Sequence, residues 1–212
     1  MPDQDERAPA GKPAAGPAAP VPAPGSLRWV AELINTRSAR FGTDKIGTPA
    51  LLASWLLDRH LLRTGVPVTT DEHHRTVRLR EGLRALAALN NTRSAEADRG
   101  RGSNPPRRGP GGSALADLAG LARRLPLVLD IDGPRPRLMP LSRGTADTVL
   151  ASMLAAVAES VASGTWRRLK VCNDPDCRWA YYDQSRNRSR AWCSMAACGN
   201  RAKARAFRSR VR

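Results

Sequence analysis

The chain has 212 residues, enough for one medium domain or for a small domain with a smaller module. Lys and Arg number 35 against 19 Asp and Glu, and the resulting net charge of +16 predicts attraction to polyanions. The apolar runs are too short and too interrupted by Arg to cross a bilayer, and the N-terminus, with Asp3, Asp5 and Glu6, lacks the apolar stretch of a secretory signal.

Residues 1–25 are mostly Ala, Pro and Gly and read as a disordered tail, because such a stretch cannot bury enough apolar surface to offset its chain entropy. Residues 26–165 read as a mostly α-helical domain with a small β-hairpin. A first amphipathic segment covers about Leu27 to Arg40, with Trp29, Leu33 and Ile34 inward. The next begins at Thr48-Pro49, an N-cap followed by proline at the first helical position. It carries Leu52, Trp55 and Leu56 at helical spacing, with Leu61 and Leu62 about a turn further on. Thr69 and Glu72 form a capping box that opens a helix with Leu79, Leu83 and Leu86 on one face and a stop near Asn90. Residues 91–112, rich in Gly, Pro and Arg, read as a flexible insertion.

A helix with Leu115, Leu118, Ala122 and Leu125 in register comes next. Two strands, Leu127–Ile131 and Arg137–Leu141, flank the turn Asp132-Gly133-Pro134, and Pro136 and Pro140 favour an edge position for the second. The last helix of this domain covers about Thr145 to Ser163, with Leu150, Met153, Leu154, Val157 and Val161 as its stripe, and Gly164 stops it. The apolar stripes are complete before Cys172, so 27–163 is expected to fold without the C-terminal segment. His60, His73 and His74 have no Cys, Asp or Glu partner at ligand spacing, and packing or surface roles fit them. No catalytic triad, carboxylate pair or phosphate loop stands out, so no catalytic residue is assigned and an enzyme is not expected.

All four cysteines fall in the segment 166–212, as Cys172, Cys177, Cys193 and Cys198, in the pattern C-x4-C-x15-C-x4-C. Two thiol pairs, each held by a turn, can supply four thiolates to one tetrahedral Zn²⁺. Redox pairs and disulfides are the competing readings. The usual redox motif is C-x-x-C beside a βαβ unit, which is absent, and the clustering into matched pairs favours a structural metal. In so small a segment, metal binding would supply much of the folding free energy. The expected fold is a treble-clef-like zinc finger with four cysteine ligands, a short β-hairpin and a helix. Trp179, Tyr181 and Tyr182 suit a strand. They either pack against the metal knuckle or offer a stacking surface to single-stranded RNA.

The segment 166–212 holds 13 Lys and Arg against 3 acids, none of them after Asp183. Arg186, Arg188 and Arg190 between the thiol pairs, and Arg201, Lys203, Arg205 and Arg208 after them, are the candidate nucleic-acid contacts. Arg201, Arg205, Arg208 and Arg212 would share one face of a helix.

The run Cys198-Gly199-Asn200-Arg201, with Asp183-Gln184-Ser185-Arg186-Asn187 and Trp192-Cys193-Ser194-Met195 before it, resembles the CGNR zinc finger. Upstream, Glu32-Leu33-Ile34-Asn35-Thr36-Arg37, Asp44 and the Pro49–Leu56 helix resemble the ABATE domain that usually precedes that finger. The resemblance covers about 27–210. It implies a stress-induced bacterial transcription regulator with Cys172, Cys177, Cys193 and Cys198 as zinc ligands. It also implies DNA binding by the finger and an N-terminal domain that senses a signal or dimerises. Double-stranded DNA is then the expected partner, in the cytoplasm at the nucleoid and away from any membrane. RNA or an acidic protein is the alternative partner, and a homodimer is compatible with either.

Overall fold

Leu27, Val30, Leu33 and Ile34 recur at helical spacing and are buried together on one face of α1 (Leu27–Ile34). The computed structural model describes residues 22–99, 110–141 and 144–210. The tail up to residue 21, residues 100–109 of the expected insertion, and Arg212 lie outside them. α1 ends at the Asn35 cap, short of the Arg40 end that periodicity suggests. Arg37–Ser38 (β1) and Thr43–Asp44 (β2) instead pair antiparallel, and their turn passes through Gly42 at φ 63°, a conformation glycine adopts freely.

Thr48 caps α2 (Pro49–Leu57) by accepting the Leu51 N–H at 3.2 Å. The helix stops before Leu62, which is buried from the loop beyond. The capping box forms as expected: the Glu72 amide donates to Thr69 Oγ1 at 3.2 Å, and the Thr69 amide donates to Glu72 Oε2 at 2.9 Å. The helix it opens, α3 (Thr70–Arg99), runs through the stop expected at Asn90. Asn90 donates to the carbonyls of Trp166 and Leu169, and Asn91 to that of Val171, so both side chains clamp later elements. α4 (Pro110–Ala122) packs on α3 at Gly82, where a Cβ would lie 2.6 Å from Leu118 Cβ. Both flanks of the expected flexible insertion are therefore helical.

β3 (Leu127–Asp130) and β4 (Arg137–Pro140) pair antiparallel from Leu127–Pro140 to Asp130–Arg137, as the strand signals indicate. α5 (Ala146–Ala162) starts at a reciprocal Thr145–Thr148 cap and buries Leu150 and Met153, while Val161, expected in the stripe, is exposed. Gly164 follows at φ 71°. The chain then forms β5 (Leu169–Val171), β6 (Ala180–Tyr182), antiparallel to it, and α6 (Asn200–Arg210).

One continuous core joins Leu33, Leu52, Leu83 and Leu150 of the helices to Leu169, Val171 and Ala180 of the last hairpin. Below the first hairpin lies an ionic network. Arg80, 1% exposed, donates to Thr36 Oγ1 at 3.2 Å, Asp44 Oδ1 at 2.7 Å and Glu81 Oε1 at 2.9 Å. Arg84 pairs with Glu81 and with the Ile34 carbonyl. His73 has a packing role, its Nε2 lying 2.8 Å from the Ile46 carbonyl oxygen.

Candidate metal centre

Cys172 follows β5 directly, and its amide donates to the Trp179 carbonyl at 2.8 Å, one rung past the β5–β6 pairs. The chain between must reverse within a few residues. It does so around the Asp174 carbonyl, which accepts the amides of Cys177 at 2.9 Å and Arg178 at 3.1 Å. Cys198 sits in a five-residue π turn, Met195–Gly199, opened by Ser194, whose hydroxyl accepts the Ala197 amide at 3.2 Å. The Cys198 amide donates to the Ser194 carbonyl at 2.9 Å, which holds the second thiol pair in a turn of its own.

These turns bring the four sulfur atoms within 4.8 Å of one another. Cys177 Sγ lies 3.6 Å from Cys193 Sγ, and Cys193 Sγ lies 3.5 Å from Cys198 Sγ. A tetrahedron with metal–sulfur bonds of about 2.3 Å has sulfur–sulfur edges of about 3.8 Å, so the donor set fits one zinc ion. The thiols are free of disulfides. Hydrogen bonds from Cys177 and Cys193 hold the Cys172 thiol down at about 2, and the same contacts with Cys172 push Cys177 up to about 12 and Cys193 upward as well. Such crowded thiols resist losing all their protons together, and a divalent cation removes that resistance.

The cations expected to form one basic face divide into two groups. Arg201 donates to Asp174 Oδ2 from Nε at 3.0 Å and Nη2 at 2.7 Å, and Nη2 also reaches Cys198 Sγ at 3.0 Å. Arg205 donates to Asp174 Oδ1 at 3.1 Å. Asp174 is fully buried. Its burial alone would raise the carboxyl, but the Arg201 hydrogen bond, the Asp176 amide and the charges of both arginines hold it below its usual value. Arg190 lies 5.2 Å over the Tyr181 ring and donates to the Trp192 and Cys193 carbonyls. Arg190, Arg201 and Arg205 thus hold the thiol turns and α6 together. Arg186, Arg188, Lys203 and Arg208 remain exposed, and no ion pair to any of them occurs among the described residues.

A buried pair that the sequence does not announce organises the arginine loop. Lys170 Nζ and Asp183 Oδ2 lie 3.0 Å apart, both side chains almost fully buried. Asp183 also accepts the amides of Ser185 at 3.0 Å and Arg190 at 3.1 Å, while Lys170 donates to the Arg188 and Arg190 carbonyls. The loop backbone wraps this pair, which turns Arg186 and Arg188 outward. The one sequence signal is that Asp183 is the last acid of the chain. Tyr181 is buried, with its hydroxyl donating to the Arg190 carbonyl at 2.6 Å, and Tyr182 packs against the main core. Both tyrosines therefore have packing roles.

Asn35 connects the two halves. Its amide nitrogen donates to the Ala180 carbonyl at 2.9 Å, and its oxygen accepts the Ala180 N–H at 2.7 Å. Residues 168–211 match the model of the CGNR zinc finger family, and residues 27–164 match that of ABATE, described as "Putative stress-induced transcription regulator". No curated protein matches the chain. Among the described residues no helix is long and apolar enough to cross a membrane.

Proposed function

The chain belongs to the ABATE family, and on that basis we propose that it is a zinc-stabilised regulator that binds duplex DNA through its C-terminal finger. One Zn²⁺ bound by Cys172, Cys177, Cys193 and Cys198 supplies a crosslink between two turns that share only a small apolar cluster of their own. The observation that carries the DNA reading is the exposed set Arg186, Arg188, Lys203 and Arg208, on a segment without acids after Asp183. Each of these four exposed cations on the finger offers a phosphate contact, and neutralised phosphates release counterions. The buried Tyr181 leaves less aromatic face for stacked bases, which supports duplex over single-stranded partners. The family and finger types support a regulator over an enzyme, acting in the bacterial cytoplasm at the nucleoid.

The test measures duplex affinity across a salt series for the zinc-loaded chain and for a variant with all four cations replaced by Ala. The slope of log affinity against log salt should flatten by about 0.9 for each phosphate that is no longer neutralised. Equal slopes would remove this surface from the interface. Preference for single-stranded RNA or for an acidic protein in direct competition would move the function to that partner.

A further inference from the structure

A cleft of about 640 Å³ opens between the β1–β2 hairpin and the cysteine turns. The volume lies within the range of about 300–1,000 Å³ typical of small-molecule sites. Its walls come from both halves of the molecule: Phe41 and Lys45 from the hairpin side, and Trp179, Met195 and three of the four metal-binding cysteines from the finger, so the bound metal takes up part of this space. Phe41 is 72% exposed and Met195 52%, although large apolar side chains ordinarily gain free energy by leaving water. Arg40, Lys45 and Arg190 also line the cleft, and no Asp or Glu does. Arg40 and Lys45 are exposed, and neither has a carboxylate partner among the described residues. Arg40 lies 5.3 Å over the Phe41 ring.

We propose that this cleft binds a small, flat, apolar anion such as an aromatic carboxylate. The ring would lie between Phe41 and Met195 with the carboxylate toward Lys45 and Arg40. Aromatic rings stack favourably on Phe and on thioether sulfur, and the cation pair discriminates against neutral and cationic analogues. A ligand seated there touches the hairpin and the metal-binding turns at once. Binding therefore holds the two halves together and makes the folded state harder to open. The site stands apart from the DNA reading, since its occupancy is measured without DNA.

The test is calorimetric titration of the zinc-loaded full chain with 2-naphthoate, with uncharged 2-naphthamide as control. Naphthoate should bind, at least tenfold more tightly than the amide. Phe41→Ala and Lys45→Glu, both at exposed positions, should each weaken it about tenfold or more while leaving the melting temperature of the free protein unchanged. Absence of naphthoate binding up to millimolar concentration would overturn the proposal. So would equal affinity for the amide, or binding that both variants leave intact.

Discussion

Arg201 shows how far spacing along a helix can be trusted at the scale of one residue. Its position four and seven residues before Arg205 and Arg208 places it on a basic face, yet Asp174, far upstream, claims its guanidinium. That partner could not be read from the local sequence, because the knuckle that buries Asp174 exists only once the thiol pairs meet. The four cysteines themselves were legible, since two matched pairs carry their own spacing. The remaining residues of the signature have local tasks. Asn200 donates to the Ala196 carbonyl at 3.0 Å across the π turn, and Arg201 reaches the Cys198 sulfur. Partners that orient metal ligands typically change metal affinity by about 10–100-fold when removed. Arg201→Ala should therefore weaken zinc binding by about tenfold or more in a chelator competition. Lys203→Ala, on an exposed side chain, should leave zinc affinity unchanged and flatten the DNA salt slope by about one. A zinc affinity unmoved by Arg201→Ala would return that residue to the phosphate-contacting set.

Elements announced by strong local chemistry were legible at the ends where that chemistry sits. The Thr48-Pro49 cap, the Thr69–Glu72 box and the Gly164 stop all act within one turn of chain. The β1–β2 hairpin was not legible, because strands of two residues have no periodicity to read, and its stability comes from below. The Arg80 guanidinium joins Asp44 on β2 to Thr36 just before β1, so a residue of α3 sets the hairpin geometry. Burial raises the Asp44 carboxyl, but hydrogen bonds from Arg80 and the Ile46 amide, with the charges of Arg80 and Arg37, bring it below its ordinary value. The sign follows from linkage. Below the unfolded value of about 3.9 the unfolded chain takes up the proton first, so this contribution to stability is intact above it and fades as pH falls through the lower folded value. Asp44→Asn removes the charge at every pH and should cost about 2 kcal/mol at pH 7, the scale of a hydrogen bond to a charged group. Denaturant unfolding from pH 7 down to pH 3 should show the gap between variant and wild type closing at the acid end. A gap constant with pH would mean that the carboxylate charge contributes nothing to holding the hairpin.

For the whole molecule, the sequence suggests two bodies meeting near residue 165, because the apolar stripes end before the first cysteine. The structure puts part of the second body into the core of the first. Leu169, Val171 and Ala180 are buried among the helices, and Asn35, Asn90 and Asn91 bond to the backbone of this last hairpin and its approach. Each fully buried Leu or Val contributes about 1.5–3 kcal/mol from area alone, none of which requires a metal. Beyond the hairpin, the Cys172–Arg178 knuckle and α6 have little apolar support, since α6 buries no residue fully. These segments depend on the thiol crosslink and on the Asp174 clamp that forms around it. Removing zinc by chelation should therefore open the chain at Cys172, not at residue 165. Amide hydrogen exchange should become fast over 172–178 and 193–210, while Leu169–Val171 and Ala180–Tyr182 keep protection comparable to α3 and α5. Cutting the chain after Gly164 should then be more damaging than removing the metal, because it strips Leu169 and Val171 from the core and leaves the Asn35 amide without Ala180. The measurement is exchange with and without chelator at fixed pH, beside thermal melting of the shortened chain. Protection lost in β5 and β6 together with α6 would show that the metal, and not the shared core, holds the hairpin in place.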